Sequence, residues 1–239
     1  MSEARRILGR AEAIDAYQSL CKVSGPNRIA RKGDLYEPYF LQPHEANRLR
    51  NLIRRIPLLN NCEVIVLHSS ADNGYPHTRP DAVVCMPENS IVGVSDEEVS
   101  ETLRHEAMHI HQRRFPDAWV EKSLREGWTP VKLERIPLRF RELCRLNPDT
   151  FYATPFWAWE KHSVPLPMFK TAQPNSLGDM RIEWYDLRTG AVFHDAPPSF
   201  IARYGNAFQI EHPYELLAVE FAAKKYVNEM QVYTALQQA

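Results

Sequence analysis

One segment restricts the fold of this 239-residue chain more than any other. Ser95-Asp96-Glu97-Glu98 opens a helix. The Ser95 hydroxyl is placed to accept from the backbone N–H three residues on, and Glu98 to reach back to the Ser95 N–H, a reciprocal capping box. The helix then runs to about Arg114, ahead of Phe115-Pro116, with Val99, Leu103, Ala107 and Ile110 recurring every three or four positions as an inward face. Inside it lies His105-Glu106-Ala107-Met108-His109. Residues four apart share a helix face, so the two imidazoles converge on one ion, at Zn–N distances of about 2.0–2.1 Å. Glu106 is not needed as a ligand and is free to accept the proton of a zinc-bound water, whose pKa falls from about 15.7 towards 7 on the metal. The expectation is one Zn2+ per chain, held by His105 and His109, with Glu106 as catalytic base.

The other elements are placed by period and punctuation. Residues 4–22 read as one helix ended by Gly25-Pro26, and about His44 to Ile56 as a second, opened by Pro43 and closed by Pro57. Together they make an N-terminal helical segment, about residues 1–60, expected to pack on the rest. Residues 62–68 and 81–86 are short apolar strands around a turn-rich stretch from Ser69 to Arg79. Helices are predicted at 117–126 and 137–146, and a layer of packed loop or short strands from Asn147 to Phe169. A hairpin at 180–186 and 190–194 turns at Arg188-Thr189-Gly190, and a long helix runs from Pro213 to about Leu236. The order is α+β, with no composition break that demands two domains.

Composition removes several function classes. A net charge of −1 and a pI near 6.8 give no electrostatic case for nucleic acid or an anionic membrane. The clusters Arg48–Arg50–Arg54–Arg55 and Arg135–Arg139–Arg141–Arg145 have helical spacing and read as solvated faces. No stretch of about 18 apolar residues spans a bilayer, and the charged N-terminus has no signal-peptide core. Cys21, Cys62, Cys85 and Cys144 are scattered without a CxxC pair, as expected of reduced thiols in a cytoplasmic protein.

A catalytic zinc site needs a third protein ligand. The three-histidine continuation of the metzincins is excluded by Gln112 and Phe115, which stand where it requires glycine and histidine. His111, two residues beyond His109, points away from the site as an exposed helix residue. Downstream, Glu215-Leu216-Leu217-Ala218 begins an apolar helix. With His105-Glu106-x-x-His109 ahead of it, the chain resembles the gluzincins, the thermolysin-like and lethal-factor-like zinc metallopeptidases. The resemblance rests on these two short motifs, about fifteen residues. It implies a zincin-like fold, a small mixed sheet packed on the active-site helix, and metalloendopeptidase activity on peptide or protein substrates. It also implies Glu215 as third zinc ligand, with Ala218 letting the later helix approach closely. Many gluzincins carry an acid four positions after that glutamate to support a zinc histidine. Here that position is Val219, and Glu220 stands one later, as a shifted second-shell group or as an alternative ligand.

The resemblance implies further roles. The group stabilising the oxyanion is a tyrosine or histidine near the third ligand, which leaves Tyr204 and His212, with ordinary packing as the alternative. The strand before the active-site helix forms the cleft's upper edge and pairs with substrate backbone, so His77 and Arg79 either contact substrate or finish a turn. Trp157 and Trp159 either line an apolar subsite or belong to the core. A non-catalytic interaction module with a structural zinc is the competing class; Val219 favours it and an intact Glu106 opposes it.

Overall fold

The computed structural model describes residues 2–152, 154–205 and 211–238. α1 (Glu3–Asp15) buries Ile7, Leu8 and Ala11. The predicted single helix breaks at Ala16, which is left-handed (φ 52°), and restarts as α2 (Tyr17–Val23). Side chains drive the break. Asp15 Oδ1 accepts from the Tyr17 N–H, and the Glu12 carboxylate accepts from those of Gln18 and Ser19, so the first donors of α2 are satisfied as an N-cap would satisfy them. α3 (Gly25–Ala30) and α4 (Pro43–Ile53) follow, each with proline in its first turn.

β1 (Glu63–Leu67), β2 (His77–Arg79) and β3 (Val83–Pro87) form a sheet in the order β1-β3-β2, with β1 parallel and β2 antiparallel to β3. β2 lies in the stretch read as turns. Three residues show no alternation, and the reversal into β3 is made by Asp81 and Ala82, both at positive φ. β3 is buried throughout and its side chains alternate between two cores. Val83 and Cys85 pack on Ile7, Leu8 and Ala11 of α1. Val84 and Met86 pack on Val99, Leu103, Ala107 and Ile110 of α5 (Asp96–Arg114). α1 thus backs the sheet that α5 faces, while Leu49 and Leu52 of α4 join the core on the α5 side. The Ser95–Glu98 capping box is present as predicted.

α6 (Pro116–Arg125) leads to β4 (Trp128–Pro130) and α7 (Leu138–Arg141), then β5 (Trp157–Trp159), β6 (Ser163–Phe169), β7 (Met180–Asp186) and β8 (Val192–Phe193). The five strands form an antiparallel sheet in chain order. The helix predicted over 137–146 shrinks to one turn because the chain pairs with β6 instead. Arg145 N–H donates to the Pro167 carbonyl, and Phe169 N–H to that of Leu143. Trp157 and Trp159 join Trp128, Trp184, Phe200 and Leu216 in a buried aromatic core, so they are core residues and do not line a subsite.

α8 (Pro198–Tyr204), α9 (Pro213–Ala223) and α10 (Glu229–Gln237) complete the α+β arrangement. The predicted last helix divides at Lys225, left-handed at φ 56°, and α10 restarts on an Asn228–Gln231 capping box. α9 lies on α5, with Tyr214, Leu217, Ala218 and Phe221 in the core of Leu103 and Ala107. Both alanines are fully buried, and small residues at a helix crossing bring the axes close. The four cysteines are free thiols. No helix among the described residues is long and apolar enough to cross a membrane.

Candidate metal centre

The crossing of α5 and α9 brings three donors to one point. His105 Nε2 and His109 Nε2 lie 2.9 Å apart, and Glu215 Oε2 is 3.4 Å from the first and 3.3 Å from the second. A tetrahedral ion with bonds of about 2.0–2.1 Å sets its ligands about 3.3 Å apart; the two Glu215 separations match this, and the His105–His109 separation is shorter. The donor set is two imidazoles and one carboxylate beside a cleft, a group that could hold a metal ion. Among the described residues these three form the one group placed to hold a metal. Electrostatics select positive charge here. Burial pushes the His109 imidazole down, but the Glu215 and Asp149 carboxylates reverse this and hold it at about 10. Burial likewise pushes Glu215 up, yet His109 and His105 keep its carboxyl well below the usual range.

Two amides orient the ligands. Gln112 donates from Nε2 to the Tyr214 carbonyl (2.9 Å), which turns its Oε1 toward His109 Nδ1 at 2.7 Å. A carbonyl oxygen only accepts, so Nδ1 carries the proton and Nε2 faces the triad. Asn147 Nδ2 donates to Glu215 Oε1 (2.8 Å), leaving Oε2 to the histidines, and the same Nδ2 reaches Glu211. Asn147 Oδ1 accepts from the Asp149 N–H. Neither amide belongs to the two sequence motifs that carry the ligands. Gln112 had a signal, since it stands three residues after His109 on the same helix face. Asn147 had none, because it arrives from irregular chain 35 or more residues away from either helix motif.

Glu106 is 2% exposed, and its Oε2 has no hydrogen-bond partner. Burial first, and then the charge of Asp149, push its carboxyl well above the ordinary value. It lines a cleft of about 610 Å³ with His105 and Glu215. Glu101, Thr102, Val219 and Ala222 form the helical side of this cleft, and Met180 and Ile182 of β7, with Leu177 from the turn before it, stand in its lining. Arg145, read as part of a solvated basic face, instead lines the cleft, stacked on Tyr75 and 3.8 Å from Glu211.

Several predicted site residues lie elsewhere. Tyr204 sits in the aromatic core, where its hydroxyl accepts from the Trp128 indole N–H (3.1 Å). His212 caps α9: Nδ1 accepts from the Tyr214 N–H and Nε2 donates to the Thr154 carbonyl, with burial lowering the imidazole to about 4. Both nitrogens are used, so neither Tyr204 nor His212 is presented to a reacting carbonyl. Glu220 turns outward to Lys224 and Arg203 and is neither a ligand nor a support for one, whereas Val219 faces the cleft. His77 and Arg79 are buried and structural. Arg79 is bound by Asp15, Glu12 and Tyr36, and His77 by Tyr36 and the Tyr75 carbonyl. The strand before α5 is β3, which is the central strand and has no free edge. His111 does point away from the triad, but it is buried, accepting from the Trp119 indole N–H (3.0 Å), and burial lowers it to about 4.

No family model, no curated protein and no solved structure matches this chain.

Proposed function

We propose that this protein is a zinc-dependent peptidase with a zincin-like fold and a gluzincin-type centre, hydrolysing peptide bonds in the cleft that Glu106 lines. The observation that carries this reading is Glu106 itself. His105, His109 and Glu215 are enough to hold a metal, yet a second acidic side chain, which also lines the cleft, is buried with them and keeps an unpartnered Oε2. A bound Zn2+ supplies Lewis acidity, acidifying water and polarising the scissile carbonyl.

The chain's own residues do the rest. Glu106, whose proton affinity burial and Asp149 raise above that of an ordinary carboxylate, is the stronger base for it. It takes a proton from the attacking water at Oε2. As the C–N bond breaks it returns that proton to the leaving nitrogen, so the carboxylate is regenerated. Gln112 and Asn147 fix the orientation of His109 and Glu215, which keeps the geometry constant through the cycle.

The test is Glu106→Gln. The amide is isosteric and cannot accept the proton, so zinc content should equal that of wild type. Cleavage of an unstructured polypeptide such as reduced, alkylated casein should drop by about 10²–10⁴-fold. Equal cleavage by both proteins contradicts the assigned role.

A further inference from the structure

Two strands stand beside the metal centre, and only one has an edge to offer. β2 is the edge of its sheet, but its outward groups are taken. Thr78 N–H donates to Asp149 Oδ1 (2.7 Å), and the Thr78 carbonyl accepts from Arg113 (3.0 Å). All three β2 residues are buried.

β7 differs. Asp186 N–H donates to the Ala191 carbonyl, and Trp184 pairs with Phe193. The even-numbered residues of β7 therefore aim their backbone groups at the β8 side. Ile182 also stands opposite Pro167 of β6, which has no N–H to give its carbonyl. β8 ends at Phe193. Beyond it, among the described residues, no strand pairs with Met180–Glu183 on that side. Met180 N–H is used by the Leu177 carbonyl, which leaves the Met180 carbonyl and both backbone groups of Ile182 without a strand partner. Side chains of successive strand residues point to opposite faces, yet Met180, Arg181 and Ile182 all line the metal cleft. A strand that presents three successive residues to one space presents its edge.

We propose that the free edge of β7 at Met180–Ile182 receives the substrate as an added strand, so that the substrate class is an extended polypeptide read mainly through its backbone. This rests on the peptidase reading above. The apolar side chains of Leu177, Met180, Ile182, Val219 and Ala222 around this edge favour an apolar residue beside the bond that is cut. Strand addition supplies affinity through main-chain hydrogen bonds and specificity through the pockets for alternate side chains. Asp149 and Arg113, by sealing β2, leave the substrate one register instead of two.

The test measures binding apart from turnover. Zinc-loaded Glu106→Gln protein is titrated with fluorescein-labelled, reduced and alkylated casein, with and without Ile182→Pro. Proline removes only the outward N–H and is tolerated on a strand edge. Binding should weaken up to about tenfold, the effect of losing one backbone hydrogen bond, while Ile182→Val binds unchanged. If Ile182→Pro loses zinc or thermal stability, Ile182→Lys replaces it, keeping the N–H but placing a charge that blocks strand addition. Equal affinity in the blocked and unblocked proteins overturns the proposal, as does failure of the casein to bind at all. Wild-type cleavage of the same casein separates the two readings. Cleavage without the expected weakening removes the β7 edge alone. Weakening without wild-type cleavage removes the hydrolysis alone.

Discussion

Two regions deliver the candidate centre, and they are built in opposite ways. α5 holds His105, Glu106 and His109 through local rules: a capping box, helical spacing, and Gln112 one turn on. The chain from Leu143 to Thr150 has no such frame. It is held by distant partners: Arg145 on Pro167, Asn147 on Glu215 and Glu211, Asp149 on Thr78, and the Pro148 carbonyl on Arg113. The first region sets where two of the three ligands stand, the third coming from α9. The second sets how Glu215 points and what charge surrounds Glu106. A regular element therefore places the chemistry, and an irregular one tunes it.

Truncating each orienting amide breaks that comparison most sharply. Gln112→Ala frees His109 Nδ1, and Asn147→Ala frees Glu215 Oε1. Support groups of this kind typically contribute 10–100-fold in metal affinity, so each variant should bind zinc about that much more weakly by competition titration. Asn147→Ala should also loosen the segment around it, raising hydrogen exchange at Asp149 and Thr78, while Gln112→Ala leaves those amides unchanged. Identical exchange in the two variants would show that the irregular segment does not depend on its tether to Glu215.

A smaller effect comes from two histidines two residues apart on α5. His109 is held up at about 10 chiefly by Glu215 against the effect of burial, and His111 is pushed down to about 4 by burial, with Arg114 adding to it. His212 is also depressed, to about 4. A group whose folded pKa lies below its unfolded value of 6.5 stabilises the protein fully above 6.5. That contribution is lost as pH falls from about 6.5 through 4. Metal-free protein should therefore lose thermal stability on acidification through this window. His111→Gln should flatten part of the slope, and an unchanged slope would contradict the burial assigned to His111.

The legible part of the molecule follows the same division. Ser95, Glu98, His105, Glu106 and His109 were readable because helix chemistry acts over three or four residues. Glu215 was readable through its place ahead of Ala218 in an apolar helix, with which it resembles a known ligand arrangement. Tyr204 and His212 were misjudged because proximity in sequence to Glu215 says nothing of direction: one hydroxyl serves Trp128, and one imidazole serves a helix cap. His77 and Arg79 looked like cleft residues because three-residue β2 carries no period that marks it as buried. Arg145 is out of reach because pairing with β6 overrides the local helical pattern over 137–146, and Asn147 and Asp149 because only distant partners hold them. The breaks at Ala16 and Lys225 have the same origin, side-chain capping in the first case and the Asn228–Gln231 box after the second.

The central claim is that α5 and α9 together hold one metal ion through His105, His109 and Glu215. Zinc titration of metal-free wild type, Glu215→Ala and Glu220→Ala tests it most directly. The account predicts one Zn2+ per chain for wild type and for Glu220→Ala, with affinity at least a hundredfold lower for Glu215→Ala. Equal binding by Glu215→Ala and wild type, or a wild-type protein that takes up no zinc, would contradict it.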